Sequence, residues 1–156
     1  MAKRSAETLA PFQGRDLHVN YALSGGFFED GDLATSRSPR GRDLALTEGI
    51  DNLTQAIANR LKTRKGELAS LGHPTYGSRH HELIGEPNVD RTRNLIKLYV
   101  LQALLDEPRI EKVLRADVKA EHTPPREIVR IELSVRVTGE PTPLNLVVPF
   151  NLGVGV

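Results

Sequence analysis

Leu104-Leu105-Asp106-Glu107-Pro108-Arg109-Ile110 divides the chain into two kinds of pattern. Before it, apolar residues recur at the three- and four-residue spacing of helices. After it they alternate, as in strands. Pro108 enforces the change, because proline disfavours helical geometry in the residue before it and brings no amide to a helix. Arg109 is placed to cap the last helical carbonyls. Glu107, however, puts a carboxylate at the negative pole of a helix, which is mildly unfavourable. That misfit predicts a partner at this corner.

Upstream of the corner, Asn88 or Asp90 starts a helix that ends near Leu105. Its first turns are charged, through Asp90, Arg91 and Arg93. Its second half, Leu98-Tyr99-Val100-Leu101 and Ala103-Leu104-Leu105, is apolar almost all round, which predicts burial in a core or under a partner. An earlier helix is predicted over about 51–64. Ile50, Leu53, Ile57 and Leu61 form its stripe, Asp51 its N-cap, Lys62 to Lys65 its basic end and Gly66 its left-handed C-cap. Between the two lies a turn-rich loop, Glu67 to Gly77. A short helix, Arg79 to Ile84, follows it, capped by Ser78 and stopped by Gly85.

Downstream, Ala116, Val118 and Ala120 alternate with charged residues. Val129, Ile131, Leu133, Val135 and Val137 then make a second strand, and Leu144, Leu146, Val148 and Phe150 a third. Short turns join them, which predicts an antiparallel meander with one face against helices: an α+β domain with two main helices and a short one. Pro143 and Pro149 bracket the third strand and place it at an edge, where it is a template for another chain. Residues 1–43 are punctuated by Gly25-Gly26, Gly31, Pro39 and Gly41 and are read as an extended N-terminal arm. Residues 44–156 are the α+β domain, with a short strand over Asp43 to Thr47 at its start.

Composition removes several classes of function. A formal charge of +1 supplies no global field for nucleic acid or anionic lipid. Without cysteine there are no disulfides or thiolate metal sites. Met-Ala-Lys-Arg leads into polar sequence, so no signal peptide is expected, and no apolar run reaches membrane-spanning length. Glu67, Glu82, Glu86, Asp106 and Glu107 are the carboxylates available for a glycosidase pair. Gly85 and Pro87 break any shared helical face between Glu82 and Glu86, and there is no Trp to stack a sugar. His73, His80 and His81 lack metal-ligand spacing, and adjacent helical side chains point about 100° apart. The basic residues from Arg60 to Lys97 suit an acidic protein partner better than a nucleic-acid groove. Neither a catalytic constellation nor a metal or cofactor site emerges. An interaction protein is what remains.

The order of features has a counterpart. Gln55-Ala56-Ile57, Leu61-Lys-Thr-Arg-Lys-Gly-Glu67, His73-Pro-Thr-Tyr-Gly-Ser78, Leu83-Ile84-Gly85, Glu107-Pro108-Arg109-Ile110 and the terminal meander together resemble one family. It is the baseplate wedge and sheath-initiator family of contractile phage tails (GPW-type, once called tail-lysozyme-like), with relatives in type VI secretion and extracellular contractile injection systems. The resemblance covers roughly residues 44–150. Its motif positions here are Thr63, Gly66, Glu67, Pro74, Tyr76 and Gly77. Two departures stand out: Arg64-Lys65 where many members have proline, and His80 where an apolar residue is common.

The resemblance implies a structural baseplate component, not an enzyme. By it, Glu107, Pro108 and Arg109 engage the helical core of the wedge. The terminal sheet is similar to the handshake domain of the sheath protein, and the edge carrying Leu144, Leu146, Val148 and Phe150 accepts strands from the first sheath ring. The implied partners are baseplate wedge proteins and the tail sheath protein, in multiple copies around a six-fold assembly, with tube or hub proteins within reach of the arm. Such a chain works without cofactor, metal, nucleic acid or membrane, in a virion baseplate or an injection particle assembled in a cytoplasm. The alternative is a peptidoglycan hydrolase at the tail tip, since lysozyme activity has been ascribed to some relatives.

Overall fold

In the computed structural model the described residues are 14–21, 23–24, 27–28, 31–124 and 126–153. The chain divides into two compact units, Met1–Ala56 and Ile57–Val156.

In the first unit, short apolar groups separated by glycines and polar residues make only short strands. These are β1 (Arg15–Leu17), β2 (Val19–Asn20), β3 (Leu23–Ser24), β4 (Phe27–Phe28), β5 (Asp32–Leu33), β6 (Thr35–Ser38), β7 (Gly41–Leu44) and β8 (Leu46–Glu48). They pair antiparallel as β1 with β8, β2 with β5, β3 with β4 and β6 with β7. Three of these ladders meet at a triangle of main-chain bonds. The His18 amide donates to the Ala45 carbonyl, the Ala45 amide to Ala34, and the Ala34 amide to His18, each at 2.8 Å. Each residue sits at a break between two strands, so the ladder changes partner there with no main-chain group stranded. The arm expected over 1–43 is thus extended in backbone but folded back on itself where it is described. Residues 1–13 lie outside the described residues. The single strand expected over Asp43 to Thr47 is interrupted, because Ala45 belongs to the triangle.

Helix α1 (Gly49–Lys62) leads from the first unit into the second. Leu53, Ile57 and Leu61 are buried along one stripe, as their spacing predicts. The helix begins earlier than expected, so Asp51 lies in the first turn and is not the cap; it still faces the positive helix end. It also ends earlier. Gly66 is left-handed, with φ of 86°, but lies four residues past Lys62 and turns the following loop instead of capping the helix.

In the second unit, two 3-10 turns (Ala69–Leu71 and Arg79–Leu83) precede α2 (Asp90–Leu104), which starts at Asp90, one of the two starts expected, with Val89 at the N-cap position. Ser78 precedes the second turn without a side-chain capping bond. Thr92, Ile96, Val100, Ala103 and Leu104 form the buried face of α2. Leu98 and, at its C-terminal end, Leu105 are 47% and 82% exposed. Helix α2 thus buries one face in this unit's core and leaves an apolar strip, Leu98 and Leu105, outside it.

Three strands complete the α+β fold: β9 (Ile110–Ala120), β10 (Ile128–Val137) and β11 (Leu144–Asn151), antiparallel in the order β11-β10-β9. Val129, Ile131, Leu133, Val135 and Val137 are buried from β10, and Leu146, Val148 and Phe150 from β11. The opposite face of β9 and β10 is laced by ion pairs, including Lys119 with Glu132 at 2.6 Å and Arg115 with Asp117 at 2.6 Å.

Candidate functional site

Two places in the second unit have the chemistry of contact surfaces: the Glu107 corner and the outer edge of β11. At the corner, the Leu104 carbonyl accepts from the Glu107 amide at 3.2 Å, and the Glu107 carbonyl accepts from Ile110 at 3.1 Å. This tight turn around Pro108 folds Arg109 back on Glu107. Arg109 Nε donates to Glu107 Oε1 at 2.6 Å and Nη2 to Oε2 at 3.1 Å, a two-point fork. The Glu107 side chain is only 5% exposed. Burial pushes its carboxyl upward, but the Arg109 bonds and charge, with Arg60 beyond, outweigh this and hold it below the usual carboxylate range. The missing partner inferred from the helix pole is therefore a correction to make: Glu107 is partnered within its own chain.

Arg60, counted from the sequence only among the basic residues for an acidic partner, turns inward instead. It lies in the last turn of α1, three residues after Ile57 and seven after Leu53, on the apolar stripe itself. A cation at a stripe position was the available signal. Its Nη2 is 3.8 Å from Glu107 Oε2, its guanidinium lies 4.5 Å from the centre of the Tyr76 ring, and its Nε is buried without a hydrogen-bond partner. Arg60 thus stands between the loop and the corner.

The loop motif residues are drawn together by the chain ends of that loop. Arg64 and Ser78 form a parallel bridge; the Ser78 amide donates to the Thr63 carbonyl, and the Gly66 amide to the Tyr76 carbonyl. Glu67 Oε2 accepts from the Arg64 amide at 2.9 Å, and Thr63 Oγ1 donates to Asn59 at 2.8 Å. Gly77, at φ 98°, passes so close that a Cβ would stand 2.6 Å from the Thr63 carbonyl oxygen. Only glycine fits. Pro74 is exposed at the loop surface.

The sheet edge has a different logic. The Leu152 amide donates to the Glu127 carbonyl, extending the β10–β11 register by one pair. Antiparallel pairs alternate between bonded and non-bonded. By that alternation the main-chain groups of Leu144, Leu146, Val148 and Phe150 point to β10. Those of Asn145, Val147, Pro149 and Asn151 point away from it. Pro149, which has no amide, stands where its missing donor costs β10 nothing. The four residues expected to receive a strand are thus committed to β10, with Leu146, Val148 and Phe150 also buried in the core. Their odd-numbered neighbours carry the outward main-chain groups. Val147 is 54% exposed and, with Asn145, Ser134, Glu132 and Arg115, lines a groove of about 270 Å³.

Phe150 anchors this strand against two histidines. The rings of His80 and His81 stack at 4.3 Å, and Phe150 meets His80 edge-on at 4.5 Å. The expectation that adjacent histidines diverge fails because χ rotation, not only the 3-10 backbone, sets ring position. His80 Nδ1 shares a 2.8 Å bond with Ser78 Oγ, and burial lowers its pKa to about 3; His81 Nε2 bonds the Leu61 carbonyl at 2.8 Å. Among the described residues no group of three or more His, Asp and Glu side chains is placed to hold a metal ion.

Comparison with known proteins gives the family and the fold. The family of "baseplate wedge protein gp25" matches residues 47–142. A crystal structure from Geobacter sulfurreducens, provisionally designated a tail lysozyme, superposes with a TM-score of 0.59 at 27% identity, covering 73% of this chain and all of that one. A chain of the type VI secretion system baseplate complex superposes with a TM-score of 0.52 at 21% identity, covering 65% of this chain and 92% of that one. No curated protein matches.

Proposed function

This chain belongs to the family of baseplate wedge protein gp25, and from that premise we propose that it is a structural baseplate subunit with two working surfaces. The Glu107-Pro108-Arg109 corner, braced by the loop carrying Thr63, Gly66, Glu67, Pro74, Tyr76 and Gly77, anchors it to other wedge proteins. The outer edge of β11 starts the tail sheath by accepting a strand. Its partners are thus the wedge and sheath proteins of a contractile tail or injection particle, in multiple copies, with tube or hub proteins within reach of the arm.

The alternation along β11 is the observation that carries this reading. It leaves the amides of Asn145, Val147 and Asn151 and the carbonyls of all four odd-numbered residues on the side away from β10. An incoming strand would bond these groups, each bond worth about 0.5–1.5 kcal/mol net. Facing Pro149 it would find an acceptor but no donor, which marks one register among the others. Val147→Pro removes a donor from that outer side and none from the β10 ladder. We expect that variant to fold and to join baseplates, yet to fail in nucleating sheath in an assembly reaction read by electron microscopy. Val148→Pro, which breaks the β10 ladder, is the control that should lose stability. Normal sheath on Val147→Pro baseplates would overturn strand addition.

One observation favours a second reading, the hydrolase: the provisional designation of the Geobacter relative. Four carboxyls here are unsuited to be the acid of such an enzyme. Those of Glu82, Glu107, Asp117 and Glu132 are all held below their usual range, with Arg79, Arg109, Arg115 and Lys119 as their respective bonding partners. A glycosidase acid needs its pKa raised.

A further inference from the structure

Glu107 and Arg109 satisfy each other within the chain, which creates a difficulty for any contact made through them. A buried pair broken by withdrawing one partner leaves the other charge uncompensated, and that is strongly unfavourable. An anchor built on Arg109 would have to leave the Glu107 carboxylate, 5% exposed, behind it.

The geometry around Arg60 removes the difficulty. Glu107 Oε2 faces two guanidinium groups: Arg109 Nη2 at 3.1 Å and Arg60 Nη2 at 3.8 Å. The second distance is beyond a hydrogen bond, yet a shift of about 1 Å would make it one. Arg60 has the capacity, because its Nε is buried and without a partner. It has the position too, since the Tyr76 ring supports the guanidinium from one side, in the loop that Gly77 closes. Its side chain is 10% exposed, so it is not itself a surface contact; Arg109, at 19%, is the more accessible of the two.

We infer that Arg60 is a standby counter-ion for Glu107, which frees Arg109 to turn outward and fork onto a carboxylate of a partner protein. The outward half of this rests on the proposed anchoring corner; the standby half does not. Arg60 is a positioning residue: it touches no partner and acts through Glu107. An arginine suits the outward role because its planar fork matches a carboxylate at two points, which lysine cannot do.

The two halves separate experimentally. The Glu107 carboxyl is followed by NMR against pH in the wild type, Arg109→Ala, Arg60→Met and the double variant. Glu107 should still titrate below the usual carboxylate range in Arg109→Ala, and should rise above it only when both arginines are gone. Thermal midpoints should follow suit, with the double variant losing more than the sum of the singles, on the order of 10 °C in all. Arg60→Lys, which keeps the charge, should restore most of the low pKa on the Arg109→Ala background. The Arg109→Ala protein is decisive even if the double variant does not fold: a Glu107 pKa raised above the usual range there overturns the standby role. Incorporation into baseplates co-assembled with wedge proteins then tests the outward half. Arg109→Ala should be lost from the particle, and Arg60→Met should show a several-fold drop in occupancy while its fold is intact. Full occupancy of Arg109→Ala would sink the anchoring corner alone. Loss of Arg109→Ala with full occupancy of Arg60→Met would sink the standby role alone.

Discussion

His80 shows how one side chain can set the acid limit of this fold. It is 2% exposed, wedged between the His81 and Phe150 rings, and burial keeps it neutral down to about pH 3. An unfolded chain protonates the same ring near its ordinary value of 6.5. The unfolded state therefore binds more protons below that value. The stabilisation from neutral His80 is complete above about pH 6.5 and drains away as pH falls toward 3, by at most about 1.4 kcal/mol per pH unit. Glu107 adds a second, lower window: its depressed carboxyl stabilises the fold above the ordinary carboxylate range and loses that contribution as pH falls through its folded value. His80→Leu should reduce the slope of urea-derived stability between pH 6.5 and 5, leaving in place the lower window and the share of His81, whose pKa burial also lowers. An unchanged slope in that variant would show that the ring titrates elsewhere than supposed.

At the level of elements, β11 is both a surface and a wall of the core. Its edge position suggests a strand that could be removed to silence one function. The burial of Leu146, Val148 and Phe150, with Leu152 just beyond, says otherwise. Deleting residues 144–156 strips these side chains and exposes the β10 ladder. We expect the truncated chain to lose cooperative unfolding and aggregate, since a fully buried side chain of this kind contributes about 1.5–3 kcal/mol. Circular dichroism on heating reads the outcome; a sharp transition near the wild-type midpoint would contradict it. Helix α2 teaches the converse. Its second half is apolar almost all round, but only the Ile96–Val100–Ala103 side meets this unit's core, and Leu98 lies exposed.

For the whole molecule the choice lies between an assembly part and an enzyme. The baseplate wedge family to which the chain belongs favours the first. A direct test is cheap: purified protein incubated with peptidoglycan should release no reducing saccharide above a heat-inactivated control. Release that survives in Arg109→Ala but stops on mutating one carboxylate would reverse the assignment. In the described residues no helix is long and apolar enough to cross a membrane.

Periodicity carried much of the fold. The stripe Leu53–Ile57–Leu61, the break at Pro108 and the alternation in β10 are local patterns, and a helix or strand must bury whichever face they make apolar. The order of motifs was also enough to suggest the family. Contacts between distant residues were not legible. Nothing local says that Arg60 reaches Tyr76 and Glu107, that His18, Ala34 and Ala45 close a triangle, or that Gln55 spans Val19 and Leu17 with its amide at 2.9 and 2.8 Å. At the edge, Pro149 hinted at an outer position, but which residues turn their amides outward depends on the register with β10. Local pattern therefore accounts for the main helices, the three long strands and the chain break at Pro108, and not for the short strands of the first unit. Only the folded chain shows that Glu107 is buried and that Arg60, distant along the sequence, stands beside its local fork with Arg109, because a buried carboxylate is stabilised by whichever cations the fold brings to it.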